Sequence, residues 1–206
     1  MFKSLSLKVI IFGFIFTFFS SFGQSFFLGI FNSSIRNELS ITHGQFGTIY
    51  ASATLCSSIL FIWLGKKIDD VNVFKFSLFV IPLLAFSCFF FSKIFSVAFL
   101  FAAVFLMRFS GQGMMSHTAS TTISRYFTKS RGKALSASWF GLSCGEFILP
   151  VFIVYLLTIY TWQNIWLTIS LIVIIFLPIA SYLLVKNLNL DSRETDRDQK
   201  KVDENI

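Results

Sequence analysis

Apolar residues in this chain fall into six long runs, and the short segments between them carry most of the charge. A bilayer core about 30 Å thick is crossed by roughly 20 apolar residues in helical form. Runs of that length or longer near residues 9–31, 46–64, 73–91, 96–126, 134–157 and 165–185 predict six membrane-spanning helices. The first run follows Lys3 and Lys8 as a secretory leader would. It continues past leader length without a small-residue cleavage site, so it reads as a span. The helical pattern of the fourth run carries on beyond the membrane to Tyr126.

The connecting segments have their own signals. Asn32 to Gln45 is polar and predicts a loop, with Ser40-Ile41-Thr42-His43 as the start of the next helix. Gly65 to Asp70 is a tight charged turn, Lys93 marks a short loop, and Thr128 to Lys133 is a basic one. Tyr155, Tyr160, Trp162 and Trp166 bracket the turn between the last two runs, as interfacial aromatics do. From residue 187 the chain becomes charged and aperiodic, which predicts a disordered cytoplasmic tail after a transmembrane domain over residues 1–186.

Composition sharpens this picture. With 55% hydrophobic residues, 29 Phe and 13% charge, the chain is not a soluble single-core domain. It is predicted to be an all-α membrane protein whose first partner is the lipid bilayer. The net charge of +7 does not point to nucleic acid, because the basic residues lie in short inter-run segments. Placing the N-terminus in the cytoplasm puts fourteen Lys and Arg inside against Arg36 and Lys93 outside, with Arg108 within the membrane. That asymmetry predicts cytoplasmic termini, in what we read as a bacterial inner membrane. Cys56, Cys88 and Cys144 all lie in apolar runs, at spacings that fit neither a zinc site nor a disulfide framework. Nothing in the sequence calls for a metal or a cofactor.

The candidate chemistry is concentrated between Arg108 and Pro150. At about 1.5 Å per residue from Ser96, Arg108 lies roughly 18 Å into the membrane, and the same reckoning from Ala134 puts Glu146 at similar depth. Ionisable residues inside a membrane are costly unless paired or facing a watery cavity, so both are expected to mark a site. Arg108 is the expected contact for an anionic solute. Glu146 is expected to meet Arg108 and to exchange a proton as the solute binds. The alternative is a buried ion pair that only fixes helix packing. Gln112, one α-helical turn from Arg108, is its expected polar companion, and Gln24 of the first run is a further candidate. His117, nine residues on, falls about 180° away on an α-helix and reads as a packing or interfacial residue. Gly141 and Gly145 form a small-xxx-small step for close helix approach, and Pro150 predicts a kink beyond it.

Two patterns in this framework are familiar. Gly65-Lys66-Lys67-Ile68-Asp69-Asp70, followed by Lys75, resembles the loop between helices two and three of the major facilitator superfamily. Asp70 and Asn72 depart from its usual basic residue and glycine. Arg108-x-x-Gly111-x-Gly113 resembles the family's helix-four motif. Arg131-Gly132-Lys133-Ala134, through Gly141, Gly145 and Pro150, resembles the start of helix five in its organic-anion and monocarboxylate-type members. The resemblance implies a major-facilitator half bundle that moves a small solute by alternating access, with its site near the midplane. Locally, the glycine permits a sharp turn, and Asp69 can cap helix three and pair with Arg125 or Arg131.

Members of that family have two six-helix halves, so the expected partner is a second half, either another copy of this chain or a different one. A parallel pair is allowed because an even number of spans gives both copies one orientation. The competing reading is a truncated or split half without transport of its own, acting as a membrane interaction module. An enzyme is not expected. Gly141-Leu142-Ser143-Cys144-Gly145 resembles a nucleophile elbow in letters alone, since it falls mid-helix.

Overall fold

The computed structural model describes residues 2–65 and 72–186. In chain order the elements are α1 (Phe2–Ser20), a single 3-10 turn (Ser21–Gly23), α2 (Ser25–Ile30), α3 (Asn32–Leu39), α4 (His43–Leu64) and α5 (Val73–Phe91). They continue with α6 (Val97–Met107), a π-helical segment (Arg108–Met115), α7 (Ser116–Tyr126), α8 (Arg131–Leu157) and α9 (Trp162–Val185). No strand occurs among the described residues. Among the described residues six stretches are long and apolar enough to cross a membrane: Leu5–Ile30, α4, α5, Val97–Tyr126, α8 and α9. The chain is therefore an all-α integral membrane protein, as the apolar runs predict.

Side-chain caps fix where the spans begin. Thr42 and Gln45 form a reciprocal capping box at the start of α4. Asn72 accepts from the Phe74 amide at 2.9 Å, Ser96 from Phe99 at 3.3 Å and Thr161 from Asn164 at 3.4 Å. Each short polar side chain satisfies an amide that the first helical turn leaves unpaired.

Three expectations need correction. The segment Asn32–Leu39, expected as loop, is a helix, because Phe31 and Ile35 are fully buried one turn apart and Arg36 Nε donates to Asn32 Oδ1 at 2.6 Å. It ends at Ser40, which takes the left-handed conformation with φ 51°. The first span is not continuous: it breaks at the 3-10 turn, and Gln24 is extended with ψ 155°. Finally, Trp162 and Trp166 are buried, whereas Tyr155 and Tyr160 remain exposed. Trp166 sits among the rings of Phe27, Phe31 and Phe91, with centroids 5.4, 5.1 and 4.5 Å away. Such aromatic pairs add about 0.5–1.5 kcal/mol each beyond area burial, so this cluster ties α2 and α5 to α9.

Packing follows the small residues. α1 lies along α8, where Gly141 and Gly145 face it. A Cβ on Gly141 would strike the Phe14 carbonyl and Thr17 Oγ1, and one on Gly145 would strike Ser21 Oγ. The small-xxx-small step thus brings two backbones together as expected. Thr17 Oγ1 reinforces the seam by donating to the Ser138 carbonyl at 2.6 Å. α5 lies along α9, and α4 lies against α6 and the π-helical segment.

Candidate functional site

The break in the first span and Arg108 are two parts of one arrangement. Gly23 crosses the π-helical segment so closely that a Cβ there would meet the Met107 carbonyl, the Gln112 amide and the Cα of Gly111. Only glycines on both sides allow this approach. Because the helix is interrupted, the Gly23 carbonyl accepts from Arg108 Nη1 at 3.0 Å. The same nitrogen reaches Ser25 Oγ at 3.3 Å, and Tyr50 of α4 donates to that oxygen at 3.0 Å. The guanidinium carbon lies 5.5 Å from the centre of the Tyr50 ring, within cation–π range. Irregular backbone at membrane depth survives where protein groups satisfy it, and here an arginine does so.

Arg108 is only 9% exposed, and it lines a cavity of about 360 Å³ between α4 and the fourth span. Thr54, Ser57, Ser58 and Phe61 of α4 form one wall. Gln112, Gly113, Ser116, His117 and Ser120 form the other, and Trp139 of α8 adds an aromatic wall. Among the described residues no carboxylate lines the cavity. Its volume is in the range of small-molecule sites.

The π-helical segment decides which residues share this wall. An i→i+5 ladder holds more residues per turn than an α-helix, so over eight residues it falls behind by roughly a third of a turn or more. His117, expected on the opposite face from Arg108, is thereby carried round to the cavity. Its Nε2 lies 2.9 Å from the Gly65 carbonyl, and its ring meets Phe61 edge-on at 5.3 Å. Gln112 shares the wall with Arg108, as expected. Sequence reasoning missed His117, Phe61 and Trp139. The flanking pair Gly111 and Gly113, both weak helix formers, was the one local hint that the winding might change.

The remaining candidates lie elsewhere. Glu146 is exposed on α8 and does not line the cavity, so it does not pair with Arg108, whose hydrogen bonds go to Gly23 and Ser25. Equal depth did not bring the two charges together, because α8 turns its glycines, not Glu146, toward the bundle. Gln24 is half-buried beside the break and is not a lining residue. Gly65 is buried at the end of α4, where its carbonyl meets His117. Lys75 and Arg131 are exposed near helix starts, Arg125 is half-buried at the end of α7, and Pro150 lies within α8. Asp69 lies outside the described residues, and so do its expected pairing with Arg125 or Arg131 and the tail from residue 187.

Six helices long and apolar enough to cross a membrane among the described residues, with a buried arginine in a cavity between α4 and the fourth span, define a polytopic membrane protein. The chain belongs to the Major Facilitator Superfamily, whose sequence pattern matches residues 13–204. Membrane transport of a small solute is the function of that family. No curated protein and no solved structure matches the chain.

Proposed function

We propose that this chain is one half of a secondary transporter for a small organic anion, working by alternating access about the Arg108 cavity. The observation that carries the reading is a buried arginine in a cavity that no carboxylate lines among the described residues. A cation in a low-dielectric site is stabilised by an opposite charge, and an entering anion supplies it. Gln112 adds a neutral donor and acceptor on the same wall.

The second six-helix half packs on the exposed faces of α4 and α8. Those faces carry Thr48, Cys56 and Ser58 on one helix and Ser136, Ser143 and Glu146 on the other, set among exposed apolar residues such as Leu55, Ile59, Phe147 and Val151. The exposed face of α9 offers Leu171, Ile172, Ile175, Ile179 and Leu183, as a lipid-facing helix should. Polar groups pointed at hydrocarbon are costly, which favours protein over lipid against α4 and α8. On this reading Glu146 faces the second half and exchanges the coupling proton there. Both termini lie in the cytoplasm of a bacterial inner membrane, following the distribution of Lys and Arg.

Uptake of labelled carboxylates into proteoliposomes tests this, with native mass spectrometry of the same preparation. The expected result is a two-half assembly whose uptake is lost in Arg108→Ala. Uptake by a strict monomer would overturn the assembly, and uptake indifferent to Arg108 would overturn the anion site.

A further inference from the structure

Of the six spans, α4 buries the smallest share of its length, so few contacts hold it against the bundle. Among the described residues its side chains make one hydrogen bond to another helix, from Tyr50 to Ser25 Oγ at 3.0 Å. The Gly65 carbonyl that meets His117 Nε2 at 2.9 Å lies just past its other end. Both ties border the cavity, because Arg108 shares Ser25 with Tyr50 at one end and His117 lines the wall at the other.

The three guanidinium nitrogens of Arg108 are not equally free. Nε is enclosed by the protein and out of a ligand's reach. Nη1 has two N–H groups and uses both, on the Gly23 carbonyl at 3.0 Å and Ser25 Oγ at 3.3 Å. Nη2 is neither hydrogen-bonded nor enclosed among the described residues, so a ligand meets it first. Arginine grips a carboxylate best through two parallel N–H···O bonds. With Nε closed off, the second bond has to come from Nη1, which must release a partner. Ser25 Oγ is the partner to lose: its bond is the longer, and it keeps Tyr50, whereas the Gly23 carbonyl at the break would be left bare.

Resting on the organic-anion reading above, we propose that Ser25 and Tyr50 form a latch on α4 that an anion at Arg108 opens. The carboxylate takes Nη2 and one N–H of Nη1, and the Arg108–Ser25 bond breaks. The guanidinium also moves off the Tyr50 ring, whose centre it faces at 5.5 Å. The end of α4 at Tyr50 loosens, while the end at Gly65 stays tied to His117. Ser25 and Tyr50 are thus positioning residues, which limit the grip of Arg108 on the anion and pass ligand binding on to α4.

Butanoate and its uncharged amide, butanamide, serve as probes of the full chain in nanodiscs. Calorimetry measures their binding, and mass spectrometry follows backbone amide exchange in α4. Because Ser25 competes with the ligand for Nη1, Ser25→Ala should bind butanoate about fivefold more tightly, the equivalent of one hydrogen bond of about 1 kcal/mol. A serine that merely shapes the wall gives unchanged or weaker binding, and that result overturns the latch while leaving the anion reading standing. Butanoate should also speed amide exchange over residues 46–52 of the unaltered chain, although a bound ligand ordinarily slows it. Tyr50→Phe keeps the ring and loses the tie, so exchange there should be fast already and butanoate should add little. Thermal unfolding confirms that both variants fold. Exchange slowed by butanoate, or speeded as much in Tyr50→Phe as in the unaltered chain, overturns the coupling to α4. Butanoate that binds no more tightly than butanamide, or not at all, overturns the anion reading and the latch with it.

Discussion

The seam between α1 and α8 and the cavity between α4 and the fourth span are built from the same residue types, and they do opposite things. At the seam, Gly13, Gly141 and Gly145 let the backbones close, and Thr17 donates to Ser138 across the contact. At the cavity, Gly23 and Gly111 let the first and fourth spans close just as tightly, but on the far side of the π-helical segment the walls stay apart. Ser and Thr therefore join helices where the backbone approach is closed on both sides and line a cavity where it is not. The difference comes from the winding of the fourth span, not from composition.

The largest effect expected from breaking this comparison is at the seam. Gly141→Val places a branched side chain against the Phe14 carbonyl, which cannot rotate away. Overpacking of this kind costs about 3 kcal/mol or more, and the variant should fail to give a monodisperse peak on size exclusion. A well-behaved variant would show that the seam is loose. Next is Arg108→Ala, which should abolish carboxylate uptake while the protein remains folded. Removing the guanidinium also leaves the Gly23 carbonyl unpaired, a cost of about 1–3 kcal/mol that a thermal-unfolding curve should register. Arg108→Lys keeps the charge but loses the fork, so it should recover only part of the uptake.

Smaller effects sharpen the contrast. Thr17→Val removes the 2.6 Å bond to Ser138, and interhelical bonds of this kind average about 0.6 kcal/mol and reach about 1.7. It should lower the unfolding midpoint slightly and leave ligand binding unchanged. Of similar size is Thr42→Ala at the α4 capping box, expected to cost about 1 kcal/mol of stability with no change in affinity.

Much of this molecule was legible before any coordinates. The number of spans follows from the length of the apolar runs, and the segment Ser40 to His43 and Ser96 mark helix starts, whereas the last helix begins three residues before the expected Ile165. Arg108 stood out because a charge at the midplane must have a reason, and Gln112 followed from its spacing. Glu146 passed the same test of depth yet lies exposed, because depth along a helix says nothing about which way a side chain faces. The short helix Asn32–Leu39 was hidden because it rests on two buried residues, Phe31 and Ile35, in an otherwise polar run.

What the sequence determined by itself was the class of protein and the places where charge enters the membrane, since both follow from the cost of transferring each residue into hydrocarbon. What only the tertiary structure decided was which polar groups meet. The break at Gly23 depends on Gly111 lying across from it, 88 residues away in the chain. His117 reaches the cavity because eight residues before it are wound with i→i+5 bonds. Transfer free energy is a property of a residue, but the facing of a side chain depends on every turn of helix that precedes it.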